Sequence, residues 1–385
     1  MKGLLRNPPL SLYVHMPWCV RKCPYCDFNS HAVKESLPAE EYIQALIADL
    51  EQELHQVWGR PVQSIYFGGG TPSLFSAGQV ETFLDAARAR LNLRPDVEIT
   101  LEANPGTIER DSFPAYADAG INRVSLGVQS FDDKLLKAIG RIHGRREIEQ
   151  SLQSLKSSGI SNFNIDLMFA LPGQGFAQSR SDVELAIEAG PAHISFYQLS
   201  IEPNTAFAAS PPSLPEEDEA WEIQQAGLDL LEANGYGQYE ISAFAQADRQ
   251  SRHNMNYWRY GDFLAVGAGA HGKITTAADG RVQRYAKHRH PRRYLQAHET
   301  GDWRAETRVL NEDELVFEFF LNQLRLKQGV NIGDFSARTG VSWDAVEGRV
   351  QKAVAKGLLE VRTERIIPTA LGWRFVNDIQ QMFLP

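Results

Sequence analysis

The chain has 385 residues, of which 43% are hydrophobic and 23% charged, a composition typical of soluble globular proteins and unlike that of disordered chains. Its 39 basic and 48 acidic residues give a net charge of −9, which argues against bulk binding of nucleic acid. No segment approaches the roughly 18 apolar residues of a membrane span. Pro8 and Pro9 interrupt the N-terminal stretch before the apolar core of a signal peptide develops. We therefore expect a cytoplasmic protein with no integral membrane segment.

Short segments rich in β-branched and aromatic residues alternate with helix-like stretches through the first 200 residues. The six strand-like segments are 12–15, 64–67, 98–101, 123–128, 162–167 and 193–198. This alternation predicts βα units, which build parallel sheets with right-handed crossovers. Six such units fit a partial or full α/β barrel. An open doubly wound sheet fits the pattern nearly as well, so the pattern alone leaves both architectures open.

The regular alternation ends near residue 202, and the rest of the chain divides into two parts. A proline-rich stretch at 203–217 begins a barrel extension of mixed α+β character, which we place at 203–300. From residue 301 to 385, three helix-like stretches are followed by the strand-like pieces 358–362 and 365–368. Three helices and a β-wing are the outline of a small winged-helix-like domain. We therefore predict an α/β barrel domain at 1–202, the extension, and a C-terminal helical domain.

All three cysteines of the chain, Cys19, Cys23 and Cys26, follow the first predicted strand directly. An odd number of clustered thiols indicates a metal site in a reducing compartment rather than a disulfide framework. A four-iron cluster normally takes four cysteines, so three would leave one iron open to an exchangeable ligand. Zinc is the alternative, with His15 or His31 as the fourth ligand.

Polar residues stand at the ends of the other predicted strands. Gly69, Gly70 and Thr71 lie in a glycine-rich turn after the second strand, where backbone N–H groups can approach a polar ligand. The further candidates along the chain are Glu102, Gln129, Arg141 and Asp166. Because active sites of α/β barrels lie at the carboxyl ends of the strands, we expect these side chains to face the same mouth as the cysteines.

The cysteine spacing, the aromatic Tyr25 before the third cysteine, and the sequence GGGTP at 68–72 resemble the radical S-adenosylmethionine (SAM) superfamily. Segments 11–19, 127–131, 164–167 and 171–173 resemble the oxygen-independent coproporphyrinogen III dehydrogenase group of that superfamily, and the likeness covers nearly the whole chain. The resemblance implies a partial (βα)6 barrel and a [4Fe–4S] cluster bound by the three cysteines and by SAM. It also implies SAM-binding positions at Tyr13, Tyr25, Gly69, Gly70, Thr71, Glu102, Gln129, Arg141 and Asp166.

Two features separate this chain from the dehydrogenases. Phe28 stands where those enzymes have a fourth cysteine, and Tyr13 lies almost at the start of the chain, without their longer N-terminal arm. The segment 23–30 and the motif HNxxYW at 253–258 instead resemble heme chaperones related to that group. This resemblance implies heme as a ligand and heme-accepting proteins as partners, with an electron donor if SAM is cleaved. Coproporphyrinogen III dehydrogenase activity is the alternative function.

The first candidate for the ligand of the heme iron is the His253 imidazole, with Tyr257 or Trp258 packing on the porphyrin. His271, between glycines, is the competing iron ligand. The basic stretch 281–293 is a candidate site for propionates or for an acidic partner. A regulator that binds nucleic acid through residues 308–385 is a further alternative, which the mixed charge of the stretch 343–352 does not favour. Transient membrane contact is compatible with the chaperone interpretation.

Overall fold

The computed structural model describes residues 5–34, 36–106 and 111–385 of the chain. Up to residue 198 strands alternate with helices, as the sequence predicts. The strands are β1 (Leu10–Met16), β2 (Trp18–Cys19), β3 (His31–Ala32), β4 (Pro61–Gly69), β5 (Asn92–Ala103), β6 (Arg123–Gln129), β7 (Asn162–Phe169) and β8 (His193–Gln198). The helices between them are α1 (Ala39–Glu53), α2 (Ala77–Arg90), α3 (Phe113–Asp118), α4 (Asp133–Ala138), α5 (Arg145–Ser157) and α6 (Phe176–Ala189).

The six predicted strands form the centre of one large sheet in the order β1-β4-β5-β6-β7-β8, and all their pairings are parallel. Every residue of β6 is buried, as expected of a parallel strand with both faces covered. The strand order follows the chain without the reversal that defines a doubly wound sheet. The fold is therefore the partial (βα)6 barrel, and the open-sheet alternative is wrong.

The predicted barrel extension adds strands to both edges of this same sheet. At one edge, β9 (Gly237–Glu240) and β10 (Ala243–Ala245) continue beyond β8 in antiparallel pairing. At the other, β11 (Asp262–Val266) pairs in parallel with β1, and β12 (His271–Thr276), β13 (Arg281–Lys287) and β14 (Arg304–Val309) follow antiparallel. The helices of this part are α7 (Ala206–Ala209), α8 (Glu217–Ala233), α9 (Arg252–Trp258) and α10 (Pro291–Thr300). Strand β14 lies beyond residue 301, so the sheet continues past the predicted start of the last domain.

A buried ionic cluster fixes the added strands to the barrel. The Lys287 ammonium on β13 contacts both Asp49 and Glu53 of α1, and all three side chains are almost completely buried. Arg304 on β14 forms a second ion pair with Glu53. Two carboxylates and two cations balance one another, as buried charges require. The cluster therefore holds the β13–β14 edge against the first helix of the barrel.

The C-terminal part forms its own apolar core around the rings of Phe319, Phe320, Phe335 and Phe383. Its helices are α11 (Glu312–Gln323), α12 (Ile332–Thr339), α13 (Asp344–Ala355), α14 (Ala370–Arg374) and α15 (Val376–Gln381). Its small sheet contains β15 (Val330–Asn331), β16 (Leu359–Arg362) and β17 (Arg365–Pro368). Helices α11, α12 and α13 followed by the β16–β17 pair match the predicted outline of three helices and a β-wing, whereas α14 and α15 after the wing were not predicted. In the described parts of the chain, no helix is long and apolar enough to cross a membrane.

Candidate metal and cofactor site

The carboxyl ends of the parallel strands surround a cavity of about 340 Å³ beside the cysteine loop. All three predicted metal ligands and most of the predicted SAM-binding residues line it, although they come from six different segments of the chain. They are Cys19, Cys23, Tyr25, Cys26, Gly69, Gly70, Thr71, Glu102, Gln129, Arg141 and Asp166. Tyr13 and His253 lie outside this cavity. We call it the cysteine cavity below.

Cys19 ends β2, and Cys23 and Cys26 lie in the loop between β2 and β3; each of the three is partly exposed. Burial raises the pKa of the Cys19 and Cys26 thiols above their usual range, so a bound metal would have to displace their protons. The Arg141 guanidinium donates to the Cys23 sulfur at 3.6 Å. This places a fixed positive charge beside one prospective thiolate. Among the described residues, no three or more His, Cys, Asp or Glu side chains are grouped to hold a single metal ion.

The glycine-rich turn after β4 brings backbone close to the cysteine loop. A side chain at Gly70 would place its Cβ 2.4 Å from the carbonyl oxygen of Trp18, and one at Gly69 would collide with the His15 ring. Gly69 also has a φ of +115°, which glycine adopts without strain. The Thr71 N–H donates to the Trp18 carbonyl at 2.7 Å. The turn is therefore packed directly on the strand that leads to Cys19.

Two half-buried carboxyl groups line the cysteine cavity. Glu102 accepts hydrogen bonds from the Tyr66 hydroxyl at 2.8 Å and from the Gly69 N–H at 3.2 Å. Burial raises the pKa of Glu102 to about 7. Asp166 accepts from Ser125 at 3.2 Å and from Asn164 at 2.8 Å, and burial raises its pKa as well. Both groups are placed to receive cationic or hydroxyl groups of a ligand.

Gln129 and Arg141 are held in place by neighbours that the sequence did not single out. The Tyr197 hydroxyl donates to Gln129 Oε1 at 2.8 Å. Arg141 donates to the Gly127 carbonyl at 2.8 Å and also binds the Asn104 side chain. Asn104 directly follows the strand that carries Glu102. A polar residue at the end of a parallel strand is a candidate site residue, so Asn104 could have been identified from the sequence in the same way as Glu102.

The chemical types of these side chains are those that a cluster and SAM require, although the three sulfurs are not grouped around one point in the described structure. Three thiols share one cavity with two carboxyl groups, an amide and a guanidinium, whereas the zinc alternative lacks its fourth ligand. Both nitrogens of His15 are engaged, Nδ1 with the Tyr13 hydroxyl at 3.0 Å and Nε2 with the Asn29 carbonyl at 2.9 Å. His31 lines a different groove, beside His290. His15 is thus occupied by other partners, and the groove that His31 lines contains none of the three cysteines.

A second cavity, of about 550 Å³, adjoins the cysteine cavity and shares Phe28, Gly69 and Glu102 with it. Its other residues are mostly aromatic, imidazole or guanidinium groups, and they include Tyr13, Tyr257, Phe263, His271, Arg284 and Arg289. Phe28 is 61% exposed at the boundary between the two cavities. Partial burial and the nearby Arg284 lower the pKa of His271, which favours a neutral imidazole. We call this space the imidazole cavity.

His253 lies beneath the imidazole cavity rather than on it. The side chain is buried, and its Nδ1 lies 3.1 Å from the Ser64 hydroxyl. Its ring stacks on Tyr66 at 4.7 Å and contacts the Tyr257 ring at 5.0 Å. Burial lowers the pKa of His253 to about 3. The Nε2 atom is buried without a hydrogen-bond partner in the described structure.

The basic stretch 281–293 is divided among several roles. Arg284 forms an ion pair of 2.7 Å with Glu318, and Lys287 belongs to the buried ionic cluster. Arg289 lines the imidazole cavity, whereas Arg292 lines the separate groove near His31. The stretch is therefore not one continuous binding surface.

Comparison with known proteins agrees with this architecture. A model described as the radical SAM superfamily matches residues 13–186, and one described as the HemN C-terminal domain matches residues 310–375. The solved structure of coproporphyrinogen III oxidase (HemN) from Escherichia coli superposes with a TM-score of 0.82 at 23% identity. The superposition covers 98% of this chain and 90% of the HemN chain. The likeness establishes a shared fold.

Relatives of higher identity span the full length of the chain. A protein of Escherichia coli (strain K12) named heme chaperone HemW is 46% identical over 381 residues, covering 99% of this chain and 100% of the relative. A protein of Bacillus subtilis (strain 168) with the same name is 33% identical over 383 residues, covering 97% and 99%. Radical SAM proteins as a class use a [4Fe–4S] cluster and SAM. This chain belongs to the HemW family of the radical SAM superfamily.

Proposed function

We propose that this chain is a heme chaperone, which binds heme, transfers it to an acceptor protein, and carries a [4Fe–4S] cluster and SAM. The observation that carries the proposal is the junction of two cavities at Phe28, Gly69 and Glu102. One cavity contains the three cysteines, and the other contains two imidazoles, of His15 and His271, two guanidinium groups and aromatic rings. The names of the full-length relatives support the same function.

In the cysteine cavity, Cys19, Cys23 and Cys26 would bind three irons of the cluster and leave the fourth for SAM. The residues that would surround SAM are Tyr25, Gly69, Gly70, Thr71, Glu102, Gln129, Arg141 and Asp166, with Tyr13 on the side of the imidazole cavity. Glu102 and Asp166 would receive positively charged or hydroxyl groups, and Arg141 would offset the charge of the Cys23 thiolate. When bound, the cluster supplies electrons for cleavage of SAM, so an electron donor is a partner of any such turnover.

We place heme in the imidazole cavity, with His271 as the iron ligand. His271 is exposed on this cavity. Its glycine neighbours Gly269 and Gly272 are packed against Asn29 and Tyr285, so they bring the strand close to these side chains and do not open space for the ligand.

Arg289 would bind a propionate, because guanidinium groups form strong paired hydrogen bonds with carboxylates. Arg284, whose Nε and Nη2 already donate to Glu318, would offer its remaining Nη1. Phe28 and Tyr257 would cover the apolar faces of the ring.

His253, the ligand first suggested by the HNxxYW motif, would support this site from below. Its contacts with Tyr257 and Tyr66 fix two aromatic side chains next to the imidazole cavity. In the described conformation the ring is 2% exposed, so direct ligation through His253 would require α9 to move. Separate substitution of His271 and of His253 distinguishes the two candidate ligands.

The partners in this proposal are heme-accepting proteins, and the place of action is the cytoplasm, where reducing conditions preserve the thiols. Contact with acceptors at a membrane surface would be transient. Binding of nucleic acid has no part in the proposal, and neither has coproporphyrinogen dehydrogenase activity, because Phe28 occupies the position of the fourth cysteine of those enzymes.

Heme transfer provides the test. The heme-loaded, reconstituted chain is mixed with an apo cytochrome of the b type, and the Soret band reports transfer. Apomyoglobin serves as a passive trap that measures spontaneous heme release. We expect transfer to the cytochrome to be faster than capture by the trap. Equal rates would mean release without handover and would overturn the chaperone assignment, as would conversion of coproporphyrinogen by the chain with SAM and dithionite.

A further inference from the structure

A groove rich in basic side chains lies beside the imidazole cavity. The chain passes from the cavity into the groove at two places, at residues 29–31 and again at residues 289–290. The His31 and His290 rings, one from each crossing, lie 5.5 Å apart, so the two crossings are side by side. The groove and the imidazole cavity therefore share a border.

Four exposed cations line the groove or its border with the cavity, and none of them forms an ion pair with any residue that the structure describes. They are Lys22, Lys34, Arg289 and Arg292, and we call them the basic rim. Arg284 and Lys287, by contrast, are held in ion pairs. The carboxylates that line the groove are Glu41 and Glu299, so four cations stand against two anions.

The titration of His31 reports the same positive field. Burial lowers the pKa of His31, and the nearby His290, Lys22 and Arg289 lower it further. The chain as a whole has a net charge of −9, so the basic rim is a local reversal of sign. A patch of this kind attracts a partner surface of negative charge and increases the rate of productive encounters.

The basic rim lies where an acceptor of heme has to dock. Heme can pass directly between two proteins only if the pocket of the acceptor meets the cavity of the donor. Phe28, on the wall of the imidazole cavity, is largely exposed, and its carbonyl accepts from Lys22 Nζ at 3.1 Å. Arg289 lines the cavity itself. A protein that covers the imidazole cavity would therefore also contact the rim.

We infer that the basic rim is the docking surface for the heme acceptor, which meets it with carboxylates around the entrance of its own heme pocket. Charges at the edge of an interface act on the rate of association and its salt dependence more than on other steps. The rim would thus set the rate of handover and leave the affinity for heme unchanged. The inference rests on the proposed function and adds the class of partner surface.

The test measures heme transfer from the heme-loaded, reconstituted chain to a b-type apocytochrome whose heme pocket is ringed by carboxylates. Wild type is compared with Lys34→Glu/Arg292→Glu, because neither side chain contacts heme in the proposal. We expect wild-type transfer to slow roughly tenfold between about 0.02 M and about 0.2 M salt, as the rim is screened. We expect the variant to transfer slowly at both salt concentrations and to bind hemin with wild-type affinity. Amidation of the carboxylates of the apocytochrome should slow transfer from wild type equally.

Lys352→Glu/Lys356→Glu is the matched control, because it makes the same change of net charge at two exposed lysines at the end of α13. This control should transfer heme as wild type does. Lys34→Gln/Arg292→Gln replaces the charge reversal if thermal unfolding shows that the latter does not fold.

Three results would overturn the inference alone while the chaperone assignment stands. They are wild-type transfer without salt dependence, a rim variant that transfers as fast as wild type, and equal slowing by the control variant. Loss of binding to phosphatidylglycerol vesicles in the rim variant, with transfer unchanged, would assign the rim to a lipid surface instead. Transfer from wild type that is no faster than capture by apomyoglobin would overturn the proposed function and the inference together.

Discussion

Tyr66 lies between His253 and Glu102. Its ring stacks on His253 at 4.7 Å, and its hydroxyl donates to the Glu102 carboxyl at 2.8 Å. Glu102 lines both cavities, whereas His253 belongs to the HNxxYW motif on α9. The motif is thus connected to the candidate site through one tyrosine. In the described structure, His253 of the motif packs against Tyr66 and Tyr257 beside the two cavities.

The ionisation of Glu102 predicts a pH dependence of SAM binding. Because burial raises its pKa to about 7, the carboxyl group is mostly protonated at pH 6 and mostly ionised at pH 8. SAM carries positive charge on its sulfonium and amino groups, so it binds better to the ionised form. We expect SAM affinity, measured by equilibrium dialysis, to rise several-fold from pH 6 to pH 8. Glu102→Gln should bind weakly and without this rise; a slope retained in that variant would refute the assignment.

Replacement of His253 should affect stability more than heme affinity. His253→Ala removes a buried ring that contacts Tyr66 and Tyr257, and we expect the free energy of unfolding to fall by about 3 kcal/mol. His253→Asn keeps a polar atom near the Ser64 hydroxyl and should recover part of that loss. Urea unfolding measures both variants. A fully stable His253→Ala that has lost heme binding would instead identify His253 as the iron ligand.

Phe28 is expected to act in heme binding and not in cluster assembly. It is 61% exposed at the junction of the two cavities, and an exposed aromatic ring there would gain contacts when a porphyrin binds. Phe28→Ala should raise the hemin dissociation constant several-fold while the iron and sulfide content after reconstitution is unchanged. Phe375→Ala, at a comparably exposed phenylalanine of the C-terminal part, is the control. Equal hemin affinity of wild type and Phe28→Ala would contradict this role.

The buried ionic cluster gives a prediction about stability alone. Lys287→Met would leave Asp49 and Glu53 buried with only Arg304 as a counter-charge. Loss of one partner from a buried ion pair costs about 3–5 kcal/mol, and urea unfolding should show a loss of that order. Lys352→Met, at an exposed lysine of α13, should change stability little. Similar unfolding curves for the two variants would show that the cluster contributes nothing.

Much of the barrel and of the cysteine cavity follows from local sequence. Each predicted strand ends close to a polar residue such as Glu102 or Gln129, and parallel strands bring their carboxyl ends to one edge. From this rule we predicted that the cysteines, the glycine turn and the carboxylates lie close together, and in the structure they line one cavity. Their exact roles toward cluster and SAM remain predictions.

Features that depend on contacts between distant segments were not visible in the sequence. Strand β11 joins β1 across more than 240 residues, and Asn29 bonds to Ala268 and Arg289 across a similar span. A histidine among aromatic residues looks the same in sequence whether it is exposed or buried, so the position of His253 beneath Tyr257 was not predictable. The basic stretch 281–293 appeared continuous because its acidic partners, Asp49 and Glu318, come from α1 and α11.

The assignment of heme to the imidazole cavity is tested most directly by titrating hemin into the anaerobically reconstituted chain, with His271→Ala and His253→Ala in parallel. We predict a saturable one-to-one Soret transition in wild type, a large loss of affinity in His271→Ala, and a smaller loss in folded His253→Ala. Unchanged hemin affinity in His271→Ala would contradict the assignment of His271 as the iron ligand. Weak, unsaturable absorbance in wild type would contradict heme binding itself.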